Sequence, residues 1–272
     1  MAQAGFGCGK PYRMPRITVT KEGAIGWLVF DHPERRNAIT AEMWRAIPKA
    51  AAELDEDPDV RVVVLRGAGE TAFVAGADIS EFEKTRSGAS SAEYDRDNNL
   101  AFSSLEAIRK PVIAMIHGFC IGGGLAIALT ADIRYAADDG RFGIPAAKLG
   151  LGYGMAGVET LTRLVGFSRA KEIFYTAKRF TAPEALRMGL LNEVVAKDKL
   201  EEEVRELARI IAENAPLTIR AVKHATQELQ KPFEHRDAEA VQASIDACYA
   251  SADYKEGVAA FLEKRAAMFR GV

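Results

Sequence analysis

Apolar residues along this chain follow two periods. Residues 17–20 and 24–30 read as two strands around a turn at Lys21, Glu22 and Gly23, a hairpin. Residues 60–65 form a continuous valine-rich run, the pattern of a strand buried on both faces. Residues 111–116 repeat that pattern, and 133–136 give another strand. Between these runs the period becomes helical. Thr40 has the chemistry of an N-cap, Glu42 sits in the first turn after it, and Pro48 predicts a kink or break. Residues 98–108 and the apolar 125–131 predict further helices, and the polar stretch 85–97 predicts a mobile segment.

Strand, glycine turn and helix in repetition predict an α/β class with the strands packed in the middle. Beyond Asp198 no strand pattern recurs. Leu200, Val204, Leu207 and Ile211 fall at helical spacing, and Pro216 and Pro232 punctuate more helices. The expected organisation is a flexible leader over 1–15, an α/β core over 16–200 and a helical C-terminal region over 201–272, with no internal repeat. The leader carries Gly5, Gly7, Gly9, Pro11 and Pro15 and lacks the apolar stretch of a secretory signal; Met14 offers an alternative start.

Composition narrows the function. Apolar residues make up 48 % and charged residues 27 %, ordinary for a chain that buries a core. A formal net charge of -2 argues against nucleic acid as a partner, and no apolar run reaches the ~18 residues of a membrane span. Cys8, Cys120 and Cys248 are widely spaced and odd in number, which predicts neither a disulfide framework nor a zinc site. A reducing cytoplasm is the expected compartment, with Cys120 and Cys248 as small core residues.

The candidate chemistry lies in two glycine turns, Ala75-Gly76-Ala77-Asp78 and Gly122-Gly123-Gly124. Each follows a strand signal and opens a helix. A helix N-terminus leaves its first N–H groups unpaired and carries partial positive charge. Two such groups aimed at one point would hold an oxygen that becomes negative during reaction. Taken alone, a triple glycine is as well explained by close packing. The spacing matches neither the dinucleotide fingerprint nor the Walker loop, and there is no HExxH or Cys/His cluster. No metal or redox cofactor is expected.

Four stretches together are distinctive: residues 73–79, residues 110–124 with 131–134, residues 161–166 with 185–190, and the tail 256–265. From about residue 16 to 270 the chain resembles, in register, the crotonase (enoyl-CoA hydratase/isomerase) superfamily. The resemblance implies a spiral of ββα units and a C-terminal helical region that assembles trimers, often paired into hexamers. It implies an acyl-CoA thioester as substrate, with coenzyme A entering as part of it. It places an oxyanion hole at the backbone N–H groups of Ala77 and Gly123. Arg36, Ala38, Ala75, Asp78 and Ile79 then lie along the coenzyme A, with Arg35 and Arg36 suited to its phosphates. Phe261 and Lys264 match positions that reach the coenzyme A of a neighbouring subunit, and Asp132 matches a structural residue.

One part of the pattern is missing. Hydratases of this superfamily activate water and deliver a proton with two glutamates. The matching positions here are Ala126 and Ala146. Three explanations stay open. Tyr153 or Glu159 supplies the missing chemistry, although an aromatic filling space and a solvated helix face explain them as well; His117 reads as structural. Alternatively the reaction needs mainly enolate stabilisation, as in decarboxylation, thioester hydrolysis or carbon–carbon cleavage. Or the protein binds acyl-CoA without turning it over. Two methyl groups in place of two carboxylates also predict a larger, drier acyl pocket, with Ile127, Leu129, Ile144 and Met155 near it in sequence.

Overall fold

The computed structural model describes residues 14–81 and 89–272. The expected leader therefore lies outside the described residues up to residue 13, and so does the start of the polar stretch expected to be mobile. The hairpin forms as read, β1 (Arg16–Glu22) antiparallel to β2 (Ile25–Asp31). Next come α1 (Ala41–Glu56), β3 (Val62–Gly67), β4 (Ala72–Val74) and α2 (Ala89–Glu106). β5 (Val112–Ile116), β6 (Phe119–Ile121) and α3 (Gly123–Thr130) repeat the strand–strand–helix order, as do β7 (Ile133–Ala137), β8 (Arg141–Gly143) and α4 (Met155–Thr176). This is the spiral of ββα units. The chain closes with β9 (Phe180–Thr181), α5 (Ala182–Arg187), β10 (Glu193–Val195), α6 (Leu200–Glu213), α7 (Pro216–Gln230), α8 (Ala238–Ala250) and α9 (Ala252–Glu263).

The strands form a large sheet, in the order β1-β2-β3-β5-β7-β10, and a small one, β4-β6-β8-β9; in the units that begin at β3, β5 and β7 the first strand joins the large sheet and the second the small one. Alternation along the strands explains why the large sheet is apolar on both faces. Val63 and Leu65 of β3 and Val112, Ala114 and Ile116 of β5 face the main core with the small sheet. Val62, Val64, Ile113 and Met115 face the opposite way and meet Trp27 and the Leu200, Val204 and Ala208 stripe of α6.

Two expectations need correction. α1 runs unbroken through Pro48. The missing hydrogen bond and ring clash cost ~3 kcal/mol. Met43, Trp44, Ile47 and Leu54 are fully buried along that helix, and each such burial contributes roughly 1.5–3 kcal/mol, so packing outweighs the proline. The polar stretch, from residue 89 on, is the first half of α2 rather than a mobile segment. Of residues 92–97 only Tyr94 is buried, and it leads into Ala101 and Leu105, buried in the part that the spacing does predict as helix. No helix among the described residues is long and apolar enough to cross a membrane.

α7 is fastened to the sheet by an ion pair whose lysine is buried and whose aspartate reaches solvent. Lys223 Nζ donates to Asp132 Oδ2 at 2.8 Å and to the Lys110 carbonyl at 2.9 Å, while the same Asp132 oxygen accepts the Val112 N–H at 2.7 Å. Lys223 is only 9 % exposed. Asp132→Ala would leave that ammonium with only the Lys110 carbonyl, and because solvent screens the Asp132 side the expected loss is about 1–2 kcal/mol of unfolding free energy, measured by urea denaturation at pH 7. An unchanged urea midpoint would refute this role for the pair.

Candidate active site

The site starts from a left-handed loop. Arg36 and Asn37 both hold positive φ, 53° and 57°. The Asn37 side chain makes that conformation tolerable: its Oδ1 accepts the His32 N–H at 3.0 Å, and its Nδ2 donates to the carbonyls of Ala68 at 3.1 Å and Ala72 at 2.8 Å. The loop then lies against the segment leaving β4. Ala75 N–H donates to Arg36 O at 3.1 Å, Ile39 N–H to Gly76 O at 2.9 Å, and Asp78 N–H to Ile39 O at 2.8 Å. Gly76 and Asp78 thus use the side facing Ile39. Ala77 lies between them, and its N–H projects the other way.

The second segment leaves β6. Gly122 N–H donates to Gly143 O at 2.8 Å, which ties the turn to β8, and the Gly122 carbonyl accepts Ala126 N–H at 3.0 Å to open α3. Gly122 holds φ 55° and ψ -118°, a conformation only glycine takes cheaply. Gly124 is packed so closely that a Cβ would collide with the Val74 carbonyl of β4. Gly123, the first residue of α3, faces Ala77: a Cβ placed on it would lie 3.9 Å from the Ala77 nitrogen and 3.3 Å from the Trp44 ring. Neither the Ala77 nor the Gly123 N–H has an acceptor among the described residues. Two unpaired donors on adjacent segments, one at a helix N-terminus, can bind one oxygen atom that carries negative charge.

Ala126 sits half-buried one turn into α3, and Ala146 is buried at the start of a single-turn helix, Ala146–Lys148. The Gly122–Gly143 hydrogen bond brings their two segments together, and both positions carry only a methyl group. Ile127 and Ile144 are core residues, whereas Met155 is 84 % exposed at the start of α4. Tyr153 lies just before α4, its ring edge-on to Phe174 with centroids 4.9 Å apart. Glu159 is on a solvent-facing side of α4, where Arg163 Nη2 donates to its carboxylate at 2.6 Å. His117 is buried after β5, and burial pushes its imidazole below the usual histidine range.

Around the donor pair, Asp78 is buried and Ile79 is 66 % exposed. Burial alone would raise the Asp78 carboxyl; the bonds it accepts from Ser80 N–H and Oγ, with Arg35 at 3.7 Å, outweigh burial and hold it below the ordinary range. Arg35 therefore spends part of its charge on Asp78. Arg36 stacks over the Phe119 ring at 4.7 Å, and Arg179 approaches the same ring at 5.6 Å. Arg179 carried no signal in sequence, because β9 is too short to place it. Ala38 is buried behind this loop, with the His32 Nδ1 at 2.9 Å from its carbonyl. Arg36, Ala38, Ala75, Ala77, Asp78 and Ile79 are thus gathered on one linked pair of segments, with Gly123 beside them. Phe261 and Lys264 are at the far end of the chain on α9, Phe261 84 % exposed and Lys264 closing the helix in a left-handed cap. An apolar groove of about 700 Å³ lies among α7, α8 and α9, lined by Phe261, Leu262 and Tyr249 among others, and neither Ala77 nor Gly123 lines it.

Strand–strand–helix units shared between two sheets define the fold, and two unpaired N–H donors at its glycine turns define a site for an oxygen that carries negative charge. Residues 20–272 match the family model described as enoyl-CoA hydratase/isomerase. The chain is 36 % identical over 252 residues to the short-chain-enoyl-CoA hydratase of Clostridium acetobutylicum, covering 92 % of this chain and 95 % of that protein. It is 37 % identical over 253 residues to the crotonyl-CoA hydratase of Syntrophomonas wolfei, covering 93 % and 97 %. A crystal structure of an enoyl-CoA hydratase/carnithine racemase from Magnetospirillum magneticum superposes with a TM-score of 0.89 at 36 % identity, over 96 % of this chain and 97 % of that one. The chain belongs to the enoyl-CoA hydratase/isomerase family.

The Asp78 environment carries a pH dependence. Its carboxyl is held below the ordinary range in the folded state, so its contribution is present above the unfolded value of about 4 and is lost as pH falls through the folded value. Comparing urea midpoints at pH 7 and pH 3, Asp78→Asn is expected to lose less stability than the native chain. Equal losses would show that Asp78 does not titrate into this network.

Proposed function

We propose that the protein processes acyl-CoA thioesters by holding the thioester oxygen between the Ala77 and Gly123 N–H groups, stabilising an enolate. The observation that carries this reading is the pair of unpartnered donors, with Gly123 opening a helix. As an enolate forms, the oxygen gains charge, and donors already fixed in place stabilise that charge without reorganising. Coenzyme A lies along Arg36, Ala38, Ala75, Asp78 and Ile79 in this reading, with Phe261 and Lys264 contributed by a neighbouring subunit of a trimer or a dimer of trimers.

The names of the relatives favour a second reading, hydration of a short enoyl-CoA. Addition of water needs one group to take a proton and another to deliver one. Ala126 and Ala146 can do neither, and the Glu159 carboxylate is held by Arg163. Tyr153 is the nearest candidate in sequence for an acid. We therefore place the chain among family members whose reaction is driven by enolate stabilisation, such as decarboxylation or carbon–carbon cleavage, rather than by a carboxylate pair; thioester hydrolysis would need a group to activate water in addition to the two donors.

Crotonyl-CoA distinguishes the two. The expected outcome is binding without loss of the conjugated absorbance. Rapid hydration that disappears in Gly123→Pro, which deletes one donor and is expected to cost roughly 10²–10³ in rate, would overturn the proposal and make Tyr153 the next residue to mutate. The two alanines also predict that octanoyl-CoA binds more tightly than malonyl-CoA in a titration. The opposite order would overturn the apolar pocket and favour decarboxylation of a malonyl-type thioester.

A further inference from the structure

We propose that Trp44 is a positioning residue: its indole ring sets the separation of the Ala77 and Gly123 N–H groups, and with it their ability to bond one oxygen together. The inference rests on the reading of those two groups as an oxygen-binding pair. No covalent turn links the two donors. Ala77 leaves β4 and Gly123 opens α3, so something must fix the gap between them.

Residues 39–44 touch both sides of that gap. Ile39 holds the Ala77 segment through its backbone, accepting from Asp78 N–H at 2.8 Å and donating to Gly76 O at 2.9 Å. Thr40 then caps α1, accepting the Met43 N–H on its Oγ1 at 3.2 Å, and the Thr40 carbonyl accepts the Trp44 N–H at 3.0 Å. Trp44 is therefore one helical turn from the Thr40 cap, which directly follows Ile39. Its ring reaches the other donor: the Cβ position of Gly123 is 3.3 Å from Cζ2 and 3.6 Å from Cη2 of the indole, and 3.9 Å from the Ala77 nitrogen. The benzo edge thus borders the space that a side chain on Gly123 would occupy.

The ring itself is locked. It is 1 % exposed, its Nε1–H donates to Tyr94 Oη at 3.1 Å, and it meets Phe102 edge-on with centroids 5.3 Å apart. Both partners lie on α2, so the stretch that looked mobile in sequence braces the wedge. A hydrogen bond weakens steeply with misalignment, so a small settling of α3 toward α1 degrades the pair before it degrades the fold. The atoms that touch Gly123 belong to the part of the indole that a phenylalanine ring does not supply. Trp44→Phe fills most of the volume and removes the wedge.

The test uses two ligands that differ only in the carbonyl: octanoyl-CoA and its S-octyl thioether. The native chain is expected to bind the thioester about 10-fold more tightly, since only the thioester offers an oxygen to the two donors. In Trp44→Phe the ratio falls to about 2 or less while the thioether affinity stays the same. The carbonyl stretch of a carbon-13-labelled thioester moves up in parallel, because polarisation is lost. Tyr94→Phe, which removes the acceptor of the indole N–H and leaves the ring in place, gives a partial loss of the ratio. A retained ratio and unshifted stretch in Trp44→Phe would overturn the inference, as would equal weakening of both ligands, which marks ordinary packing. If Trp44→Phe does not fold, Tyr94→Phe decides by the same two readouts. A native ratio near one would instead remove the oxygen-binding reading of Ala77 and Gly123, and the inference with it.

Discussion

The site depends on one steric constraint, the contact of α3 against β4 at Gly124. With no Cβ there, the helix backbone can lie under the Val74 carbonyl. That approach places the first residue of α3 beside the segment that leaves β4, and so places Gly123 beside Ala77. The small sheet makes it possible: β4, β6 and β8 run parallel, so the turns after β4 and β6 emerge at the same edge. Each of the three units that begin at β3, β5 and β7 contributes one strand to the large sheet for stability and one to the small sheet for geometry. The large sheet carries the burial, with valines on both faces, while the strands of the small sheet are two or three residues long and aim the turns.

Against that scaffold, the chemistry of this chain is defined by what its site retains and what it lacks. The donors are backbone groups and survive almost any change of side chain. Ala126 and Ala146 sit on segments joined by the Gly122–Gly143 bond, so both methyl groups flank the same turn. A site of that kind can stabilise charge on oxygen while the neighbouring Asp78 carboxylate is engaged by Ser80 and Arg35. It has correspondingly little means of moving a proton. In the proposed reading, fixed dipoles with alanine at positions 126 and 146 favour reactions in which a bond to carbon breaks and leaves its electrons on the thioester.

The parts of this structure that were legible in sequence are those governed by local rules. The hairpin, the Thr40 cap, the buried strands β3, β5 and β7 and the amphipathic α6 all follow from period and capping chemistry. β4 and β6 were visible only as motif residues, because three residues carry no period. Pro48 was misread because the helix rule is local, while the burial of Met43, Trp44, Ile47 and Leu54 is a tertiary gain. The first half of α2 was misread because Tyr94 is the only buried residue of 92–97, and a single buried position shows no period. Within the site, the glycines announced the close approaches, but Trp44 gave no signal as a site residue. A tryptophan at a helical apolar position reads as core, and only the fold shows which backbone its ring edge meets.

That last case bears on how such sites are built. Donors on the backbone have no rotamers and no titration, so their precision comes entirely from the elements that carry them. Here one donor is set by the Ile39 backbone, just before the Thr40 cap, and the other is backed by the Trp44 ring in the first turn of α1. One short segment therefore references both halves of the pair, and its own position is fixed through Tyr94 and Phe102 of α2. The consequence is an order of dependence. Side chains that line the acyl pocket can change without moving the donors, whereas a change in the α1–α2 contact moves the donors without touching the substrate. Variation in reaction and variation in catalytic competence are thus carried by different layers of the same fold.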